Sequence, residues 1–269
     1  MIIISLIIVK YTINKDKDEE LKNKISVTIL TKNSEEYIRE CLGALIMFDE
    51  VIILDNGSVD ETIKIAKSFA NVRLFEHEFI GFGSMKQLVC SYAKNKWILS
   101  VDSDEILSSE LVNEILSLEL NNNCIYSMLR DNYYNQRLIK ACGWDNDYQV
   151  RLFNRDKTNF NDKQVHEGLV LKDRMKIVKL QNSFKHYTFK EAKELLSKMD
   201  QYSTLYAQEH KGKKSSSPFM AFFKASFAFI KYYFLQKGFL YGYEGLLISV
   251  SNANGVFYKY MKLYEENKK

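Results

Sequence analysis

Several spacings that would announce a simple function are missing from this sequence. Its four cysteines, Cys41, Cys90, Cys124 and Cys142, stand far apart with no C-x-x-C pair. They read as reduced thiols of a cytosolic protein, with Cys41 and Cys90 on the apolar faces of predicted helices. The four histidines, His77, His166, His186 and His210, show no i, i+4 pairing, so no zinc site is expected. The apolar N-terminal run, Met1 to Val9, is too short to span a bilayer. It also lacks the basic start and the small-residue cleavage site of a secretory signal. Residues 1–24 are therefore expected to be a leader that touches a membrane or adds a strand.

What is present can build a large core. The chain has 269 residues, 46% of them hydrophobic and 27% charged, which suits one large domain or one domain with an appendage. Its net charge of +4 is unevenly spread: residues 185–269 carry fourteen lysines against seven acids. The same tail holds 15 of the 36 aromatic residues between Phe219 and Tyr264. Basic plus aromatic points to nucleic acid or to an anionic membrane surface. Because these aromatics recur with Leu, Ile and Ala at helical spacing, as buried faces do, nucleic acid is not the expected partner.

From Ile25 the chain alternates short β-branched runs with helical patterns. Residues 25–30, 51–54, 72–75 and 97–101 read as strands. Between them lies a helix after Ser34 carrying Tyr37, Ile38, Cys41, Leu42, Leu45 and Ile46 on one face. A second opens with a Ser58-x-x-Glu61 capping box and a third with Ser84-x-x-Gln87. Strand and helix in alternation predict a parallel α/β sheet, in which ligands sit at the carboxyl ends of the strands. The polar residues there are Thr31-Lys32-Asn33, Asp55-Asn56-Gly57-Ser58 and Asp102-Ser103-Asp104. Each loop alone is equally at home as a turn or a cap. Further strands are expected at 124–130, 148–153 and 175–180, and helix from Lys185 onward. A Gly, Ser and Pro hinge at 211–218 holds the single proline, Pro218.

Asp102 and Asp104 carry the most chemistry. Residues i and i+2 of a strand share a face, so both carboxylates can aim at one hard cation, Mg²⁺ or Mn²⁺, that completes its shell with substrate phosphates. An isolated D-x-D can equally end a strand and cap the next helix.

Taken together, Ile29-Leu30-Thr31-Lys32-Asn33, Asp55-Asn56-Gly57-Ser58, Gly81-Phe82-Gly83-x-x-Lys86-Gln87 and Asp102-x-Asp104-Glu105 resemble the family 2 glycosyltransferases of GT-A fold. With Gln149-Val150-Arg151-Leu152-Phe153-Asn154-Arg155, Val165-His166-Glu167 and Gly238-Phe239-Leu240-x-Gly242-x-x-Gly245, the pattern is similar to bacterial lipopolysaccharide or lipooligosaccharide core β-1,4-glucosyltransferases. The resemblance covers residues 25–264. It implies a Rossmann-like GT-A domain with a mostly parallel sheet over 25–184, with a nucleotide-binding half (25–105) and an acceptor half (106–184). A helical, basic and aromatic region follows at 185–269.

By the same resemblance Thr31, Asn33, Asp55, Lys86 and Asp102 bind a UDP-sugar, Asp102 and Asp104 hold the metal on its diphosphate, and Glu167 is the catalytic base. Trp144, Asp147 and His166 are candidates for the acceptor side. Without the resemblance Trp144 reads as a core aromatic and His166-Glu167 as a surface turn. The implied reaction moves glucose from UDP-glucose, with inversion, onto a lipid-linked core oligosaccharide at the inner face of the cytoplasmic membrane. Residues 219–240 are too polar for a comfortable span and suit an interfacial helix or one packed on the catalytic domain. Two other classes remain: a sugar nucleotidyltransferase, for which Thr31-Lys32-Asn33-Ser34 lacks the glycine-rich loop, and a non-enzymatic membrane-binding module.

Overall fold

A computed structural model of the chain describes residues 24–162, 168–171 and 175–269. The leader before Lys24 and the pair His166-Glu167 lie outside the described residues. The described residues divide into two compact units, one from within 24–129 and 148–184, the other of 130–147 with 185–269.

The first unit is built on β1 (Ile25–Thr31), β2 (Glu50–Asp55), β3 (Val72–Glu76) and β4 (Trp97–Asp102). These run parallel in the order β3-β2-β1-β4. Next to β4, β8 (Tyr148–Asn154) pairs antiparallel, and β8 pairs antiparallel with β6 (Cys124–Tyr134). Beyond them follow β9 (Lys176–Phe189) and the short β5 (Glu105–Leu107), so the sheet is mixed outside its parallel half.

Period-two alternation sorts the core. Ile25, Val27 and Ile29 of β1, Val51 and Ile53 of β2, and Leu99 and Val101 of β4 share one cluster. With them pack Ile38, Cys41 and Leu42 of α1 (Ile38–Ala44) and Leu111, Val112 and Ile115 of α4 (Ser109–Ser117). Ile52, Leu54 and Ile98 point the other way, onto Met85, Val89 and Cys90 of α3 (Phe82–Ser91). All are at or near zero exposure, and each aliphatic side chain contributes roughly 1.5–3 kcal/mol through burial. The remaining helix, α2 (Thr62–Ala66), follows β2.

The parallel strands are fastened at their amino ends by Glu50. It accepts from Ser26 Oγ at 2.6 Å, from the Lys94 amide at 2.6 Å and from Arg73 Nη1 at 2.8 Å. Burial would raise this carboxyl, but the bonds from Ser26, Lys94 and Arg73 outweigh it and hold it below its ordinary value.

Three helix starts differ from those read in the sequence, two of them at the capping boxes. Ser58 does not open a helix, because its hydroxyl donates to Asp55; α2 starts at Thr62, whose amide bonds Asp60 Oδ1 at 3.0 Å. Ser84 lies inside α3, which begins at Phe82 after Gly81 at φ 102°, a conformation open to glycine. The first helix starts only at Ile38, and Ile46, placed on its apolar face, is exposed after it.

In the second unit, β9 continues through Lys185 to Phe189, so helix begins at Ala192 rather than at Lys185. The ends of β6 and β9 join the short β7 (Arg137–Leu138) and three helices, α5 (Ala192–His210), α6 (Pro218–Ile230) and α7 (Gly242–Glu266). Ser217 caps α6 by accepting from the Met220 amide at 3.1 Å, with Pro218 at the first helical position. The stretch 219–240 is not one helix: α6 gives way to a π-helical turn, Lys231–Leu235, and then to a 3-10 turn, Gly238–Tyr241. That turn lies so close on α7 that the Gly238 carbonyl oxygen leaves no room for a Cβ at Gly245. No helix among the described residues is long and apolar enough to cross a membrane.

Candidate active site

The carboxyl ends of β1, β2 and β4 lie side by side, with Thr31 in register with Asp55 and Leu30 with Asp102. Their loops are stitched into one rim. The Asn56 amide donates to the Thr31 carbonyl at 3.1 Å and the Asn33 amide to Ser58 Oγ at 2.8 Å. Asn33 Oδ1 accepts from the Val59 amide at 2.9 Å, and Ser34 Oγ lies 2.8 Å from Ser103 Oγ. Asn33 adopts φ 49°, a left-handed turn that asparagine tolerates.

Asp55 is fully buried. Its Oδ2 accepts from the amides of Gly57 at 2.9 Å and Ser58 at 2.8 Å, while Oδ1 takes the Ser58 hydroxyl. The carboxylate thus shapes its loop from beneath. Thr31 is also buried, and its Oγ1 has no hydrogen-bond partner, a donor and acceptor left unsatisfied at the floor of the rim.

Asp102 ends β4, and Ser103-Asp104 turns the chain into β5. Two buried cations meet it. Arg151, from β8, donates through Nη2 to Asp102 Oδ2 at 2.7 Å and to Glu105 Oε1, while Lys86 Nζ, from α3, stands 3.4 Å from Asp102 Oδ1. Glu105 Oε2 accepts from the Asp102 amide at 3.0 Å. Burial would pull the Arg151 guanidinium below its ordinary value, but Asp102 and Glu105 push it above. Lys86 also lies 5.3 Å over the Phe160 ring. The Cys41 thiol is pushed well up by burial and then by Glu105, Asp104 and Asp102, whose three charges gather around it.

Among the described residues, no three His, Cys, Asp or Glu side chains form a metal cage. The donor set nevertheless suits a hard cation that takes few protein ligands. Asp102 and Glu105 share Arg151, and Lys86 stands 3.4 Å from the other Asp102 oxygen, so carboxylate oxygens and balancing cations meet at the end of β4.

Thr31, Asn33, Asp55, Asp102 and Asp104 lie at the carboxyl ends of the parallel strands with Lys86 beside Asp102, while the sequence reading assigns no role to Arg151 or Glu105. The available signal is a charged residue inside the run Val150-Arg151-Leu152-Phe153, where a buried arginine calls for carboxylates. Trp144 and Asp147 belong to the second unit. Asp147 Oδ2 accepts from Arg130 Nε at 2.8 Å and Asn132 Nδ2 at 3.0 Å, and the Trp144 ring packs 5.9 Å from Phe189. Asn132 is in turn bonded to His186 Nδ1 at 2.8 Å and to Thr188 Oγ1 at 3.1 Å.

Comparison with known proteins gives this site its family. An uncharacterized glycosyltransferase of Rickettsia typhi is 29% identical over 262 residues, covering 90% of this chain and 87% of that one. The lipopolysaccharide core biosynthesis glycosyltransferase LpsC of Rhizobium meliloti is 24% identical over 260 residues, covering 91% and 94%. The crystal structure of Staphylococcus aureus TarS 1-349 aligns with a TM-score of 0.45 at 16% identity, over 91% of this chain and 89% of that one. The glycosyl transferase family 2 profile matches residues 26–173, and the chain, an enzyme with the GT-A type of α/β domain, belongs to that family.

Proposed function

We propose that this enzyme transfers glucose from UDP-glucose, with inversion, onto a hydroxyl of a lipid-linked lipopolysaccharide or lipooligosaccharide core oligosaccharide. The single observation that carries the reading is the rim itself: three parallel strand ends whose loops are hydrogen-bonded together around Asp102 and Asp104. The acceptor class is supported by LpsC, a relative matched along nearly its whole length.

In this reading Thr31, with its unpaired hydroxyl, and Asn33 line the nucleoside pocket, while Asp55 acts by holding the Gly57-Ser58 loop. Lys86 and Arg151 place positive charge beside the diphosphate. Asp102 and Asp104 would hold Mg²⁺ or Mn²⁺, which supplies Lewis-acid stabilisation of the departing phosphate oxygen. Glu167 accepts the proton of the acceptor hydroxyl as its oxygen bonds to the anomeric carbon and the bond to UDP breaks. One displacement by one nucleophile inverts the anomeric centre. Trp144, Asp147 and His166 serve the acceptor, residues 25–105 the donor, and catalysis takes place at the anionic inner face of the cytoplasmic membrane.

The test is release of UDP from a panel of UDP-sugars with an isolated core oligosaccharide, with and without Mn²⁺. UDP-glucose is expected to turn over, and Asp104→Ala to abolish turnover with the fold intact. Full turnover in that variant, or turnover with every sugar except glucose, overturns the assignment.

A further inference from the structure

A row of large apolar side chains in the second unit is exposed. On α6, Phe219, Phe223, Phe227 and Ile230 fall within about 80° of arc at 3.6 residues per turn. Phe219 is 74% and Phe227 63% exposed. The opposite side carries Ala221 and Ala228, which are buried where α6 packs on α7. The usual order of an amphipathic helix is therefore reversed, with small residues inward and phenylalanines outward. The exposed strip continues through Phe234, Leu235, Phe239 and Leu240 of the turns that follow. So long an exposed apolar strip marks an interaction surface.

A cluster of cations flanks it. Lys224, on the edge of α6 beside the strip, donates to Tyr260 Oη at 2.9 Å and lies 4.3 Å over that ring. Lys259 stands 5.4 Å from the Tyr260 centroid and 4.9 Å from that of Tyr206, and Lys214 stands 5.5 Å from Tyr206. The two rings are 5.9 Å apart, and His210 stacks on Tyr206 at 4.1 Å. Glu209 is the acidic group whose charge reaches Tyr206. Among the described residues none of the three ammonium groups has a carboxylate partner. From Lys211 to Tyr243 the chain has six lysines and no Asp or Glu.

We propose that the α6 strip and the Lys214-Lys224-Lys259 cluster form a docking surface for an anionic phospholipid bilayer. The phenylalanines enter the interface, and the cluster takes a headgroup phosphate against the Tyr206 and Tyr260 rings. A second copy of this chain is the poorer occupant, because it would bring the same six positive charges against themselves. Aromatic side chains beside lysines are the combination that seats a helix in the headgroup layer. The inference deepens the proposed membrane site of action and draws nothing from the transfer chemistry, so either can fail alone.

The experiment is flotation of the full chain with phosphatidylcholine vesicles, with and without phosphatidylglycerol. Binding is expected to need the anionic lipid. The variant Lys214→Gln/Lys224→Gln/Lys259→Gln should lose about a hundredfold of that binding, at roughly tenfold or less per lysine near the surface. Phe219→Ser/Phe223→Ser/Phe227→Ser should lose it as completely, although these exposed residues contribute little to folding. Should the lysine triple fail to fold, Lys259→Gln alone is expected to weaken binding severalfold. Equal binding to neutral vesicles, binding unchanged in the variants, or a stable dimer dispersed by the phenylalanine variant overturns the proposal.

Discussion

Arg151 shares a single guanidinium nitrogen, Nη2, between Asp102 at the end of β4 and Glu105 in β5. Glu105 is 1% exposed, and Arg151 and the Asp102 amide are among the groups that hold its charge in the interior. The same arginine leaves its Nε buried without a partner. The arrangement fixes the direction of Asp102 at the cost of desolvating both groups.

Removing the arginine therefore takes a bonded cation away from a buried carboxylate. Arg151→Met is expected to lower unfolding stability by about 3 kcal/mol, while the double variant with Glu105→Gln recovers part of that loss. Urea denaturation of the two singles and the double measures the coupling. Simple additivity would contradict a shared buried charge pair.

Acid stability should track Glu50. Its carboxyl lies below its ordinary value because bonds from Ser26, Lys94 and Arg73 overcome burial. A folded-state value lower than the unfolded one adds stability above the unfolded value of about 4.3, and that stability disappears as pH falls through the folded value. Glu50→Gln is expected to flatten the acid limb of the stability curve below about pH 5. Thermal melts from pH 7 downward test this, and an unchanged slope would refute it.

Thiol chemistry should be quiet in the native enzyme. Burial pushes the Cys90 thiol up to about 12, and Cys142 is raised by the same cause. Cys41 is raised further by its carboxylate neighbours. Cys124 is only half-buried. At neutral pH iodoacetamide should therefore label Cys124 first, and the other three only as the protein unfolds. Peptide mass spectrometry against denaturant concentration reads the order.

The parallel half of the fold was legible because Ile25, Val27 and Ile29 alternate with Ser26 and Thr28, and because each strand ends on polar turn chemistry. The capping boxes misled, since Ser58 and Ser84 have the right spacing but other places: the Ser58 hydroxyl donates to Asp55 and accepts from the Asn33 amide, and Ser84 sits inside its helix. β5 was missed because three residues give no period. The continuation of β9 past Leu180 was hidden by the polar run Gln181-Asn182-Ser183, where the amides of Gln181 and Asn182 bond Glu114 at 2.8 and 3.0 Å. The outward-facing strip of α6 was the hardest to read. Phenylalanine at helical spacing looks the same from sequence whether it faces a core or a membrane.

The two acidic roles in the proposed reaction separate experimentally. Glu167→Gln removes a proton acceptor and keeps the side chain's size, so kcat for glucosyl transfer should fall about 10²- to 10⁴-fold. The KM for UDP-glucose should remain near that of the unaltered enzyme, because the general base acts on the acceptor hydroxyl rather than on the donor. UDP with Mn²⁺ should stabilise this variant against heat as it does the parent. Asp104→Ala should behave in the opposite way, losing the Mn²⁺-dependent part of that stabilisation along with turnover. If Glu167→Gln instead abolishes stabilisation by UDP, the residue belongs to donor binding, and the base must be sought among other carboxylates.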